Sequence, residues 1–255
     1  MEIIHTPVLL QETLKYLSPV GEPFENDCFM VDSTLGEGGH SEAFLNSFEN
    51  LRIIGLDADC KIQARAKERL APFGNRMNFY SGWFNDFYAN YPENLPKPDL
   101  ILFDLGISVF HYERSGRGFS FRYDEPLDMR LNPNAGESVE TLVNTKREEE
   151  LANIIFNYGE ERYSRRIARA IVEHRKMSRI VSSKVLADII YGAVPAQYRH
   201  GNIHPATKSF QAFRIAVNGE LDRLPLALEN AFKNLKPGGK LGVITFHSLE
   251  DRIVK

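Results

Sequence analysis

The chain has 255 residues, 43% of them hydrophobic, with 31 Lys and Arg against 34 Asp and Glu, which is enough for a packed core of one large or two modest domains. A formal net charge of −3 argues against a general polyanion binder, and the absence of a basic leader or an apolar run of spanning length gives the expectation of a soluble, cytoplasmic protein without a membrane partner. With only Cys28 and Cys60, no C-x-x-C and no clustered His, neither a metal site nor a disulfide scaffold is expected, and both cysteines are read as buried small hydrophobes.

The first informative stretch is Val31-Asp32-Ser33-Thr34-Leu35-Gly36-Glu37-Gly38-Gly39-His40-Ser41, where an apolar run passes directly into a helical pattern. Glycine lacks Cβ, so Gly36, Gly38 and Gly39 allow a tight strand-to-helix turn and close approach of a nucleotide-like ligand to backbone N–H groups. The next run, Leu51–Asp57, is short, branched and closed by a carboxylate, as a buried parallel strand would be. Asp57 stands about 20 residues past the turn, where a ribose is gripped through its hydroxyls; Asp59 is the less well-placed substitute. Ser41 occupies the place of the third glycine of G-x-G-x-x-G, which favours a nucleoside without a pyrophosphate.

A helix from about Lys61 to Leu70 precedes a third strand at Met77–Tyr80, followed by Trp83-Phe84, an aromatic pair able to cover a purine. The fourth strand, Asp99 to Gly106, again ends in Asp-x-Gly. Four strands therefore carry ligand-capable residues to one sheet edge, where open α/β sheets bind. From Phe110 to Asn134 the chain reads as a loop, and from Ser138 to Tyr191 as almost wholly helical. Within it, Arg162, Arg165, Arg166, Arg169, Lys176 and Arg179 lie mostly on one side of a helix whose other side is Tyr163, Ile167, Ala170 and Ile171. The stripe is either a solvated face paired with Glu160, Glu161 and Glu173, or a surface that tracks phosphates. A long helical stretch begins near Ala206, and Pro237-Gly238-Gly239 leads into a fifth strand, Lys240–Phe246.

Several of these strings resemble the MraW/RsmH family of methyltransferases: His5-Thr6-Pro7-Val8-Leu9-Leu10, the turn through Gly38-Gly39-His40-Ser41, Asp104-Leu105-Gly106-Ile107-Ser108, Arg117-Gly118-Phe119-Ser120-Phe121 and Pro126-Leu127-Asp128-Met129-Arg130. Tyr158-Gly159-Glu160-Glu161-Arg162, His204-Pro205-Ala206-Thr207 and Phe246-His247-Ser248-Leu249-Glu250-Asp251-Arg252 follow in the family's order. The resemblance implies an α/β, class I (Rossmann-like) S-adenosylmethionine-dependent core at 1–111 and 206–255, with an inserted helical substrate-recognition domain at 112–205 after strand four. It further implies N4-methylation of a cytidine in 16S rRNA, at the decoding centre of the small ribosomal subunit.

Carried over position by position, the resemblance places cofactor contacts at Gly38, Gly39, His40, Asp57, Phe84, Asp104 and His111. His111 departs from the family's usual glutamine. Asp104 takes the catalytic role, because cytosine N4 is delocalised into its ring and must be oriented through its N–H groups; the chain has no Pro-Pro motif to do this. Phe119, Phe121, Arg165, Arg166, Arg169 and His247 are the candidate RNA contacts.

Plainer readings stand beside these. The glycines could serve the turn alone, Asp57 and Asp104 could be helix N-caps, Phe84 could be core, and Phe119 and Phe121 could staple the insertion. Ser248-x-x-Asp251 could simply cap a helix. The other functions considered are a catalytically idle rRNA-binding assembly factor and a nicotinamide-dependent oxidoreductase, the latter opposed by the missing third glycine. Because the family usually continues past Lys255 with further strands, the expectation is a shortened form whose fifth strand is an uncovered edge, prone to self-association and weakly active.

Overall fold

The computed structural model describes residues 7–18 and 27–255; His5 and Thr6 of the first family string lie outside them. The chain forms two compact units, Met1–Ser108 with Leu221–Lys255, and Val109–Glu220.

In the first unit, helix α1 (Leu10–Tyr16) precedes β1 (Cys28–Asp32), α2 (Gly39–Ser47), β2 (Leu51–Asp57), α3 (Cys60–Leu70), β3 (Met77–Ser81), α4 (Phe84–Ala89) and β4 (Leu100–Asp104). In the second come α5 (Val109–Glu113), α6 (Val139–Thr145), α7 (Glu148–Gly159), α8 (Ser164–Met177), α9 (Ser183–Ala193), α10 (Ala196–Arg199) and α11 (Ala206–Asn218). The chain then runs through α12 (Glu220–Asn234) to β5 (Lys240–Ile244) and α13 (Ser248–Val254).

The sheet order is β3-β2-β1-β4-β5, with every neighbouring pair parallel. The strands are apolar on both sides because helices cover both faces. Met30, Phe44, Leu45, Ile53, Leu70 and Leu102 fill one core; Val31, Leu56, Phe87, Tyr88 and Phe103, with Leu224, Ala227 and Ala231 of α12, fill the other. After β1 the chain winds outward through β2 and β3, then crosses to β4 and β5. The order therefore reverses between β1 and β4, and the carboxyl ends of those strands border the crevice where such sheets bind ligands.

β3 and β5 are the edge strands among the described residues, and β5 is the one expected to lie uncovered. One side of it is covered: a Cβ at Gly242 would come within 2.7 Å of Leu17, and Lys240 Nζ donates to the Ser18 carbonyl at 2.7 Å. The expectation of an uncovered apolar face there is corrected to that extent.

The helical unit has its own core, with Leu142, Ile155, Ile167, Ile171, Leu186, Ile190 and Phe213 buried. Its boundaries differ from the expected 112–205. α11 belongs with the helices rather than the sheet, because Gly159 at the end of α7 lets the Lys208 carbonyl approach to 2.5 Å of where a Cβ would stand. Asn218 then ties α11 to the irregular segment, donating to the Met129 carbonyl at 2.8 Å and accepting from Leu131 N–H at 2.8 Å. Cys28 is buried but Cys60 is exposed at the start of α3, against the expectation for both.

Candidate active site

Three strands end in carboxylates at one edge of the sheet: Asp32 on β1, Asp57 on β2 and Asp104 on β4. The turn after β1 is sewn to its neighbours through backbone groups. Ser33 N–H donates to the Leu102 carbonyl at 2.8 Å, and Leu35 N–H to the Leu56 carbonyl at 2.8 Å. Thr34 Oγ1 accepts from Asp104 N–H at 2.7 Å, so β4 delivers its carboxylate directly beside the turn.

Asp57 organises the turn from the far side. Its carboxylate accepts from Gly36 N–H at 2.9 Å and from Asp59 N–H at 2.8 Å. Burial pushes its pKa to about 7, with Asp59 and Asp32 adding to the rise and the two N–H groups opposing it. Asp57 is therefore no helix N-cap; that place belongs to Asp59, which is fully buried and accepts from Lys61 N–H at 3.0 Å. Burial likewise raises the pKa of Asp32, whose oxygens accept from Ser41 Oγ at 2.6 Å and Thr34 N–H at 3.3 Å.

The glycines divide in their use. Gly38 is left-handed at φ +81° and caps α2, and a Cβ there would meet Leu70 at 2.8 Å; a Cβ on Gly39 would meet Pro7 at 2.6 Å. Their missing side chains are thus accounted for by packing within the chain. Gly36, at φ +54°, faces open space. Glu37 between them accepts from Arg65 Nε at 2.8 Å.

His40, buried on α2, places Nε2 at 3.4 Å from Asp104 Oδ2. Neither ring nitrogen of His40, nor Asp104 Oδ1, has a hydrogen-bond partner among the described residues, although all three atoms are buried. Orphaned polar atoms are costly unless something else satisfies them. Asp104 does not cap a helix.

The remaining expected residues are distributed differently. Phe84 is half-buried and edge-on to Phe103 at 5.6 Å, part of the core face, while Arg223 covers the neighbouring Trp83 ring at 4.3 Å. His247 is the N-cap of α13, its Nδ1 accepting from Glu250 N–H at 3.4 Å and its Nε2 lying 3.2 Å from Glu250 Oε1. This corrects the Ser248 cap, and the capping role engages Nδ1 alone, since Nε2 has no hydrogen-bond partner among the described residues. Asp32, Thr34 and Glu37 were not singled out from sequence, although a carboxylate closing each strand would have pointed to Asp32.

In the helical unit, His111 is buried with its ring 5.2 Å from that of Phe119. Phe119 is itself only 4% exposed, which removes it from base stacking and supports the staple reading. Phe121 stacks on His204 at 4.5 Å. Arg165 and Arg166 are exposed on α8, and Arg169 lies 3.5 Å from Glu148. No helix among the described residues is long and apolar enough to cross a membrane.

A parallel sheet of this order, with a glycine turn after β1 and acidic residues closing β2 and β4, defines a Rossmann-like core of the class that holds nucleoside-containing ligands. The sequence profile of the MraW methylase family matches residues 2–255. The chain belongs to that family and is a methyltransferase. It is 61% identical over 255 residues to the ribosomal RNA small subunit methyltransferase H of Treponema denticola, covering 100% of this chain and 80% of that protein. The proteins of the same name from Borrelia hermsii and Treponema pallidum are 49% and 42% identical; each match covers 99% of this chain, and 84% and 78% of those proteins.

Proposed function

We propose that the chain methylates N4 of a cytidine in 16S rRNA, at the decoding centre of the small ribosomal subunit, using S-adenosylmethionine. The observation that carries the reading is Asp104 Oδ1, a buried carboxylate oxygen without a partner among the described residues, at the sheet edge beside the glycine turn. The names borne by relatives 42–61% identical supply the RNA.

The residues present suit the cofactor. Asp57 retains acceptor capacity for ribose hydroxyls beyond the two N–H groups it holds, and Gly36 leaves open space at the turn. Asp32, Asp57 and Asp104 together favour a cationic ligand over a pyrophosphate, and this weighs against a nicotinamide dinucleotide. Gly38, Gly39, His40 and Phe84 complete the proposed contacts in this unit, with His111 proposed from the other. When bound, S-adenosylmethionine supplies an electrophilic methyl group on a sulfonium.

The chain's own work is to present the amine. Asp104 Oδ1 accepts an N–H of the cytosine amino group and turns its lone pair out of conjugation, with His40 Nε2 3.4 Å from the other carboxylate oxygen. As N4 becomes tetrahedral, the same oxygen is placed to receive the proton that the nitrogen sheds. Arg165 and Arg166 on α8 supply exposed positive charge for RNA phosphates.

The test is incubation of the chain with radiolabelled S-adenosylmethionine and undermethylated small subunits, followed by nucleoside digestion. N4-methylcytidine is expected, and Asp104→Asn should lower turnover far more than cofactor affinity. No labelled nucleoside, with RNA binding intact, would instead mark an idle assembly factor; an equal fall in both parameters would make Asp104 only a cofactor contact.

A further inference from the structure

On the helical unit, planar side chains from separate segments lie one against the next. Tyr191, near the end of α9 and 38% exposed, stacks on His204 with ring centres 5.9 Å apart and planes 22° from parallel. His204 stacks on Phe121 at 4.5 Å and 27°, and Phe121 is backed edge-on by Phe210 at 5.1 Å. Arg199 places its guanidinium 5.0 Å from the Tyr191 ring centre, held there by donating to the carbonyls of Val194 at 3.2 Å and Gly192 at 3.0 Å. It forms no ion pair with a carboxylate among the described residues, so its charge remains available.

Phe210 is buried and anchors the inner end, while His204 and Tyr191 are exposed at the outer end. His204 Nδ1 accepts from Ala206 N–H at 3.2 Å, which fixes the ring. Burial, with Lys184 assisting and Asp188 opposing, holds its pKa below the ordinary value, so the imidazole is neutral at pH 7 and stacks as an uncharged ring. A second aromatic pair on this unit joins Tyr163 and Tyr198 edge-on at 4.9 Å, with the Arg162 guanidinium 4.9 Å and 5.0 Å from the two ring centres.

We propose that the exposed Tyr191–His204 end of this stack, flanked by Arg199, is a platform for unpaired bases of single-stranded RNA. The proposal rests on the RNA reading above. Near-parallel planes favour this partner, because a flat ring extends a stack of flat rings, whereas an apolar peptide side chain needs no such alignment. Arg199 adds cation–π contact and attraction for the connecting phosphates.

The experiment uses the full chain in two arms. In the first, a fluorescein-labelled 12-nucleotide pyrimidine RNA is titrated by anisotropy; in the second, small subunits are methylated at varied concentration. Tyr191→Ser should weaken the oligonucleotide about tenfold and raise KM for subunits similarly, leaving kcat and S-adenosylmethionine affinity unchanged. Tyr191→Phe, which keeps the ring, should behave as the parent, so that the ring and not the hydroxyl is responsible, while an unchanged far-UV spectrum and urea midpoint of Tyr191→Ser separate the loss from unfolding of the unit. Equal binding and KM in Tyr191→Ser, no oligonucleotide binding by the parent chain, or equally tight binding of a duplex of the same length would overturn the platform. Loss of oligonucleotide binding in Tyr191→Ser by a chain that methylates no subunits would uphold the platform and remove the substrate reading instead.

Discussion

Asp57 shows how one side chain serves both structure and ligand. Its two backbone hydrogen bonds stabilise the charged form, yet burial outweighs them and raises the pKa to about 7. The sign follows directly. An acid whose folded pKa lies above its unfolded value of 3.8 binds more protons folded than unfolded between those values, so its contribution to stability declines as pH rises from about 4 to about 7. Asp57→Asn should therefore flatten the pH dependence of urea unfolding over that window, relative to the parent; parallel curves would place the burial cost elsewhere. Ribose binding runs the other way. Hydroxyl donors favour the carboxylate, so S-adenosylmethionine affinity should strengthen from pH 5.5 to 8 and level off above the pKa, approaching a tenfold loss per unit on the acid side. Affinity constant over that range by calorimetry would mean that Asp57 is not the ribose acceptor.

At the scale of elements, the turn between β1 and α2 separates glycines that look equivalent in a string. Gly36 and Gly38 both have positive φ, but only Gly38 has a neighbour where its Cβ would stand. Gly36→Ala should cost roughly 1–2 kcal/mol from the left-handed backbone alone. Gly38→Ala adds a clash with the buried Leu70 and should cost about 1 kcal/mol more, read from urea midpoints. Equal losses would show that Leu70 moves aside freely. The same element explains the reach of sequence reading. Alternation of short branched runs with helices located β2 to its end residues and the other strands to within a few residues, because buried parallel strands are apolar along their whole length. Close contact between α7 and α11 through Gly159 left no comparable periodic trace, and α11 was therefore expected with the sheet.

At the scale of the whole molecule, the proposed cofactor residues from Gly38 to Asp104 belong to the first unit and His111 to the second. Hydrogen exchange with saturating S-adenosylmethionine should slow amides in the glycine turn, at Asp57–Asp59 and after β4, whose N–H groups are already fixed by the bonds described. Unchanged exchange in Val109–Glu113 would remove His111 from the cofactor contacts, and unchanged exchange in the turn would remove the cofactor from this sheet edge.

The sequence by itself determined the α/β class, the glycine turn, Asp57 and Asp104 as strand-closing carboxylates, and the family, because each depends on residue type at short spacing. Tertiary structure decided what those residues face: that Asp104 Oδ1 lacks a partner among the described residues beside His40, that Gly38 and Gly39 yield to Leu70 and Pro7, that Phe119 is buried against His111, and that Tyr191 and His204 carry an exposed stack. These are contacts between residues far apart in the chain. Local propensity and periodicity report which side of an element is buried, whereas the partner across the gap is set only when the elements pack.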